Sequence, residues 1–185
     1  MRRLAIVAAL VLLVAGAAGA AQTVFTNQAA WEAAVPGFGV ENFNDAVLNF
    51  GISVASANGV ISLGNWSDKV VDGTQTTTWF FAEGRTAWGA QVWDLTPGGT
   101  ETGLYVWLDG APAPSPIANS TAGTFWGVTS TVPFYKVWIT TATGFGTETY
   151  KMDDMVYSAI PAPGAILLGM IGTGVVGWLR SRRSL

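Results

Sequence analysis

Two groups of residues in this 185-residue chain have the types and spacing to do chemistry, one acidic and one aromatic. The acidic group centres on Asp153-Asp154, the chain's only adjacent carboxylate pair. Neighbouring side chains of a strand point to opposite faces, so the two cannot share a substrate as a catalytic dyad. Strict alternation puts Asp153 on the face of Met155 and Tyr157, the expected core face, and puts Glu41 on the face of Phe43. Inward carboxylates are costly unless something neutralises them. A structural calcium ion, which takes oxygen ligands including backbone carbonyls, would do so, and Glu41 with Asp153 are the candidate metal ligands. The competing reading is a solvated strand end whose carboxylates accept turn hydrogen bonds. Calcium is the one cofactor the sequence suggests.

The aromatic group lies on two short alternating segments. In Leu104-Tyr105-Val106-Trp107-Leu108 the aliphatic residues form one face and Tyr105 with Trp107 the other. In Tyr135-Lys136-Val137-Trp138-Ile139, Lys136 marks the outward face and Trp138 shares it. If these strands are neighbours, Tyr105, Trp107 and Trp138 form an exposed platform, and flat aromatic rings beside polar groups suit the faces and hydroxyls of sugars. The competing reading is that loops or a second sheet cover the rings.

Composition removes other chemistries. Without His there is no Ser-His triad, no imidazole base and little scope for zinc or copper, and without Cys an exported fold carries no disulfide. Glycoside hydrolysis needs two carboxylates converging across roughly 5–10 Å, and no motif places such a pair. The chain therefore reads as a non-enzyme. Five of the nine basic residues lie at the two ends, which leaves the intervening body with four cations against all twelve acids, a balance of −8. Such a body lacks the basic footprint that nucleic acid requires.

The elements expected to position these groups are mostly strands. Eight of the nine Trp lie in the body, with many Thr and Gly, and short segments recur at roughly 8–12 residue spacing between turn residues. The expectation is an all-β fold, a single antiparallel β-sandwich over 22–159, with strands near 39–43, 52–55, 60–63, 76–82, 86–95, 102–108, 124–129, 134–140 and 148–158. One helix is expected at 28–35, capped by Thr26 or Asn27 and ended by Pro36-Gly37. Segments 76–82 and 86–92 flank Glu83-Gly84-Arg85 and read as a hairpin.

The ends read as addresses. Arg2-Arg3, an apolar run over 4–14 and small residues through Ala21 form a signal peptide over 1–21, which implies the Sec machinery and signal peptidase as partners. Near the other end, Pro161-Ala162-Pro163 precedes an uncharged run over 164–179, long enough for roughly 24 Å of helix and barely a membrane crossing. Arg180, Arg182 and Arg183 follow and favour cytoplasmic retention of the tail. This order, over 160–185, resembles the PEP-CTERM sorting signals recognised by exosortase-type membrane transpeptidases, with Ala162 where the named motif has Glu. The resemblance implies cleavage near the Pro-x-Pro motif and a transient inner-membrane intermediate. It also implies a final location at the cell surface or in an extracellular polysaccharide matrix.

The body is also similar to the jelly-roll-like sandwiches that often precede such signals. That similarity rests on 27–34 followed by Val40-Glu41-Asn42-Phe43, Ala87-Trp88-Gly89-Ala90, 124–130 with Pro133-Phe134, and 150–156. Jelly-roll carbohydrate-binding modules commonly hold a structural calcium between an early Glu and a last-strand Asp, which by that resemblance again implies Glu41 and Asp153. The expected function is exopolysaccharide or other carbohydrate binding. The alternatives are a self-associating structural or adhesive surface protein and a tail-anchored envelope protein.

Overall fold

The computed structural model describes residues 21–71, 74–94, 103–111, 113–117, 121–141 and 146–159. The proposed signal peptide (but for Ala21) and the 160–185 sorting segment lie outside them. Among the described residues no helix is long and apolar enough to cross a membrane.

The chain runs β1 (Gln22–Phe25), α1 (Gln28–Ala34), β2 (Phe38–Glu41), β3 (Ile52–Ala55), β4 (Val60–Ser62) and β5 (Asn65–Val71). It continues through β6 (Thr77–Asp94), β7 (Leu104–Leu108), β8 (Ser115–Pro116), β9 (Thr124–Thr141) and β10 (Thr147–Ser158). The paired strands are antiparallel throughout, in the order β4-β5-β10-β6-β9-β7-β8, with β1 on β9, β2 on β10 and β3 on β6. The fold is an all-β antiparallel sandwich, as the strand spacing predicts.

Two strands of 18 residues each, β6 and β9, build both layers. Their first and second halves belong to different sheets. The N-terminal half of β6 lies between β3 and the C-terminal half of β9, and the rest of β6 lies between β10 and the N-terminal half of β9. Burial records the bend. In β6 the inward residues are Thr77, Trp79 and Phe81, then Trp88, Ala90 and Val92; in β9 they are Trp126 and Val128, then Val137, Ile139 and Thr141. Inward parity changes once along each strand, at the register shifts between Phe80, Arg85 and Ala87. An irregularity of this kind lets a strand turn a corner.

This corrects the expected hairpin. Glu83-Gly84-Arg85 does not reverse the chain but carries it from one sheet to the other. A Cβ on Gly84 would sit 2.9 Å from Pro133 Cβ, so the two bends pack against each other only because residue 84 lacks a side chain. The expected strands at 124–129 and 134–140 are likewise one strand. β5 has no counterpart among the expected strands.

Between the sheets Trp79 meets Trp66 edge-on at 5.0 Å and Phe43 at 5.9 Å, and Trp88 meets Trp126 at 5.9 Å. A smaller cluster of Trp31, Val35, Ala87, Phe125 and Val156 lies on the outside, where α1 covers the sheet containing β10. Asn27 caps that helix, its Oδ1 accepting from Ala30 N at 2.9 Å. Trp31 reaches the sheet because Gly89 and Gly127 are cross-strand neighbours there: a Cβ on Gly127 would lie 2.6 Å from the indole, whose Nε1 donates to Val128 O at 3.3 Å.

The end of β10 is held firmly. Arg85, buried between the Phe81 and Tyr157 rings, donates from Nη1 to Ser158 O at 2.8 Å, and Thr86 N donates to Ser158 Oγ at 2.9 Å. Ala159 N donates to Gly37 O at 3.1 Å. Burial holds the Arg85 pKa below its ordinary value, and nearby Tyr157 and Glu83 pull it back up.

Candidate functional site

The outer face of the sheet formed by β3, β7, β8 and the bent halves of β6 and β9 gathers the aromatic residues. β7 and β9 are adjacent, in a register that sets Trp107 directly opposite Trp138 and Tyr105 opposite Thr140. The two indoles are parallel within 5° at a centroid separation of 6.0 Å. Alternation explains this placement. Leu104, Val106 and Leu108 are buried in the core, as are Val137 and Ile139, so the residues between them must point outward. Tyr105, Trp107 and Trp138 are each half-buried and partly open to solvent.

The same face carries residues that sequence reasoning does not assign. Phe80 lies across from Lys136, and Thr78 lies across from Trp138. Lys136 Nζ is 5.9 Å from the Phe80 ring centroid. Asp109, exposed, donates its backbone N–H to Lys136 O at 3.0 Å and so stands beside that lysine at the end of the ladder. Phe80 is hidden in the sequence because its segment reads as half of a hairpin, which leaves its outward neighbours undefined. The combination of flat rings, hydroxyls and charged groups can stack on apolar ring faces and bond hydroxyl groups.

The acidic candidates are not brought together. β10 carries one extra residue between Asp153 and Val156 relative to β6, with Asp154 at φ 45°. The bulge shifts the alternation. Met152 and Met155 both face the core, Asp153 is turned to the opposite face, and Glu41, opposite Met155, is buried on the core side. The expectation that Asp153 shares a face with Met155 and Tyr157 is therefore corrected, and the Glu41–Asp153 calcium pair with it. Each carboxylate has another use. Glu41 Oε1 accepts from Phe43 N at 2.9 Å and Oε2 from Asn49 N at 2.7 Å, tying down the loop after β2. Asp153 Oδ1 accepts from Asp154 N at 2.7 Å and secures the bulge. Among the described residues no three Asp, Glu, His or Cys side chains cluster to hold a metal.

A buried polar chain sits elsewhere. Tyr150 Oη donates to Thr77 Oγ1 at 2.6 Å, and Thr77 donates in turn to Asp68 Oδ2, whose Oδ1 accepts from Lys69 N at 2.7 Å. Full burial, then the nearby Asp68 charge, pushes the Tyr150 phenol far above its ordinary range, so it stays protonated and donates. The chain is enclosed in the core and serves the junction of β5, β6 and β10.

No family model matches the chain, and no curated protein does. Solved structures do. A point variant of a family 29 carbohydrate-binding module, from a study of ligand recognition, superposes with a TM-score of 0.51 at 10% identity, covering 69% of this chain and 99% of the module. A second variant from the same study gives 0.50 at 13% identity over 69% and 99% of the two chains. A charge-reversal variant of a family 29 module gives 0.50 at 12% identity over 65% and 89%. At such identities the likeness is one of fold: nearly the whole of the module's sandwich has a counterpart in residues of this body.

Proposed function

We propose that this chain is a non-catalytic carbohydrate-binding protein, exported and sorted to the cell surface or extracellular matrix, where its sandwich associates with polysaccharide. The observation that carries the binding reading is the Trp107–Trp138 pair, parallel and partly open on an outer sheet face. Two parallel indoles left partly outside, in a protein that buries Trp31, Trp79, Trp88 and Trp126 completely or nearly so, need a reason to stay there. A sugar face supplies one. The solved structures with the same fold are carbohydrate-binding modules by name, which lends this reading support. Affinity electrophoresis of the full chain through gels containing matrix polysaccharide tests it. Retardation lost in Trp107→Ala and in Trp138→Ala is the expected result, and equal mobility of all three proteins with and without polysaccharide would overturn it.

The sorting part rests on the Pro161-Ala162-Pro163 motif, the apolar run and the Arg180, Arg182, Arg183 cluster. An exosortase-type transpeptidase is the partner it calls for. The clamp at Ser158 and Ala159 supports a body that ends just ahead of the motif and survives loss of the tail. Intact mass of the extracellular protein, ending near residue 160 in the wild type, with Pro161→Ala/Pro163→Ala retained in the membrane at full length, is the expected result. A membrane-bound C-terminus through Leu185 in both would replace sorting with a tail anchor.

One observation favours a second reading, self-association. Phe50 is fully exposed and Leu63 nearly so, Leu63 at φ 53° in the tip of the β4–β5 hairpin beside the edge of β4 that is unpaired among the described residues. A concentration-dependent mass in sedimentation, lost in Leu63→Asp, would support it.

A further inference from the structure

We infer that the aromatic face is a track for the interior of an extended glycan chain, with Phe80 as its far subsite, and is not a seat for a single terminal sugar. This rests on the carbohydrate-binding reading above.

Strand register lays out the track. Tyr105 and Trp107 stand on β7, two residues apart on one face. Trp138, on β9, is level with Trp107, and Phe80, on β6, is level with Lys136, one outward position further along. The rings therefore do not form a compact cluster. They step diagonally across three adjacent strands, from Tyr105 through the Trp107–Trp138 pair to Phe80. With strands ~4.8 Å apart and outward positions ~6.7 Å apart along a strand, the path is about 16 Å long, which is several sugar units and more than one ring can cover.

Polar groups accompany the rings along the whole path. Thr140 is opposite Tyr105, Thr78 is opposite Trp138, and Lys136 with Asp109 stands at the Phe80 end. Each aromatic step thus has a hydroxyl or charged group beside it, which suits repeated units that each show one apolar face and a rim of hydroxyls. Residues between the rings on the same strands are buried in the core, so the track is built on the rigid part of the sheet and does not depend on loops.

The test uses the full chain, detergent-solubilised and labelled, on an array printed with di- and hexasaccharides of matched linkage, β-1,4-gluco, β-1,4-manno and uronate series included. Wild type is expected to bind hexasaccharides of at least one series at least tenfold more tightly than the matching disaccharide. Phe80→Ala is expected to bring the hexasaccharide down to the disaccharide level, Phe80→Tyr to retain the preference, and Trp107→Ala to lose both. Melting temperatures of the variants separate lost folding from lost contact. Equal binding of di- and hexasaccharides, or a hexasaccharide preference untouched in a folded Phe80→Ala, would overturn the track and leave carbohydrate binding standing. No binding to any member of the array would overturn both.

Discussion

Trp107 and Trp138 come from strands with an intervening chain of 30 residues, yet they meet as direct cross-strand partners with their rings parallel within 5°. The two indoles are stacked across the strands, so each ring borders the other on the outer face. Removing either one should cost ligand affinity by roughly the value of an aromatic stacking contact, about 1–3 kcal/mol or some 5- to 150-fold, with little effect on stability because the pair is outside the core. Titration of the two single variants and the double variant checks this. A double variant that loses only as much as one single variant identifies the pair as one unit.

The notch under α1 predicts a stability effect far from that face. In Gly127→Ala the new Cβ would lie 2.6 Å from the Trp31 indole and 2.8 Å from the Phe125 ring, neither of which can retreat without opening the outer cluster. A loss of about 1–3 kcal/mol is expected. Trp31→Ala should cost more, about 3–5 kcal/mol, by emptying the same site. Denaturant unfolding of both variants, followed by tryptophan fluorescence, gives the comparison.

Thr77 occupies the middle of the buried chain between Tyr150 and Asp68, and its hydroxyl both accepts and donates. Thr77→Val keeps the shape and leaves the Asp68 carboxylate short of a donor in the core. The expected loss is about 2–4 kcal/mol. Tyr150→Phe removes a donor and leaves only the Thr77 hydroxyl under-satisfied, so about 1–2 kcal/mol is expected. Chemical denaturation of both variants ranks them, and a larger loss for Tyr150→Phe would contradict a proton run from Tyr150 through Thr77 to Asp68.

Burial raises the Asp153 carboxyl pKa above its ordinary value of 3.8, against the lowering effect of the Asp154 N–H and with a further push from the Asp154 charge. A carboxyl raised in the folded state favours folding while protonated and loses that contribution as pH rises through the folded value. At neutral pH the charge therefore costs stability. Asp153→Asn keeps the Oδ1 that accepts from Asp154 N and drops the charge, so it should melt higher than wild type at pH 7, by on the order of a degree for so partly exposed a group. The gap should close below about pH 3, where the wild-type carboxyl is also neutral. A variant melting lower at pH 7 would show that the charge stabilises the bulge.

Much of the fold is legible from period and punctuation. The alternation in 104–108 and 135–139 identifies which residues face outward without any knowledge of neighbours, because the side-chain period of a strand is two and both segments are regular. The helix from Gln28 with its Asn27 cap is legible for a similar local reason. Legibility fails where the chain departs from the period. Gly84 looks the same in sequence whether it reverses a strand or bends one, and only Pro133, 49 residues away, makes it a bend. The bulge after Asp153 inserts one residue, and every face assigned beyond it by alternation is displaced from the residues before it.

The sequence by itself determined the class of the fold, the acidic balance of the stretch between its two basic ends, and the outward aromatic identity of Tyr105, Trp107 and Trp138. These depend on composition and local period, which are properties of adjacent residues. Only the tertiary structure decided that β7 lies against β9 in the register that pairs Trp107 with Trp138, that Phe80 joins their face, and that Glu41 and Asp153 point apart. Register between distant strands is set by the packing of the whole core and by where each long strand bends, and no local stretch of sequence carries that information.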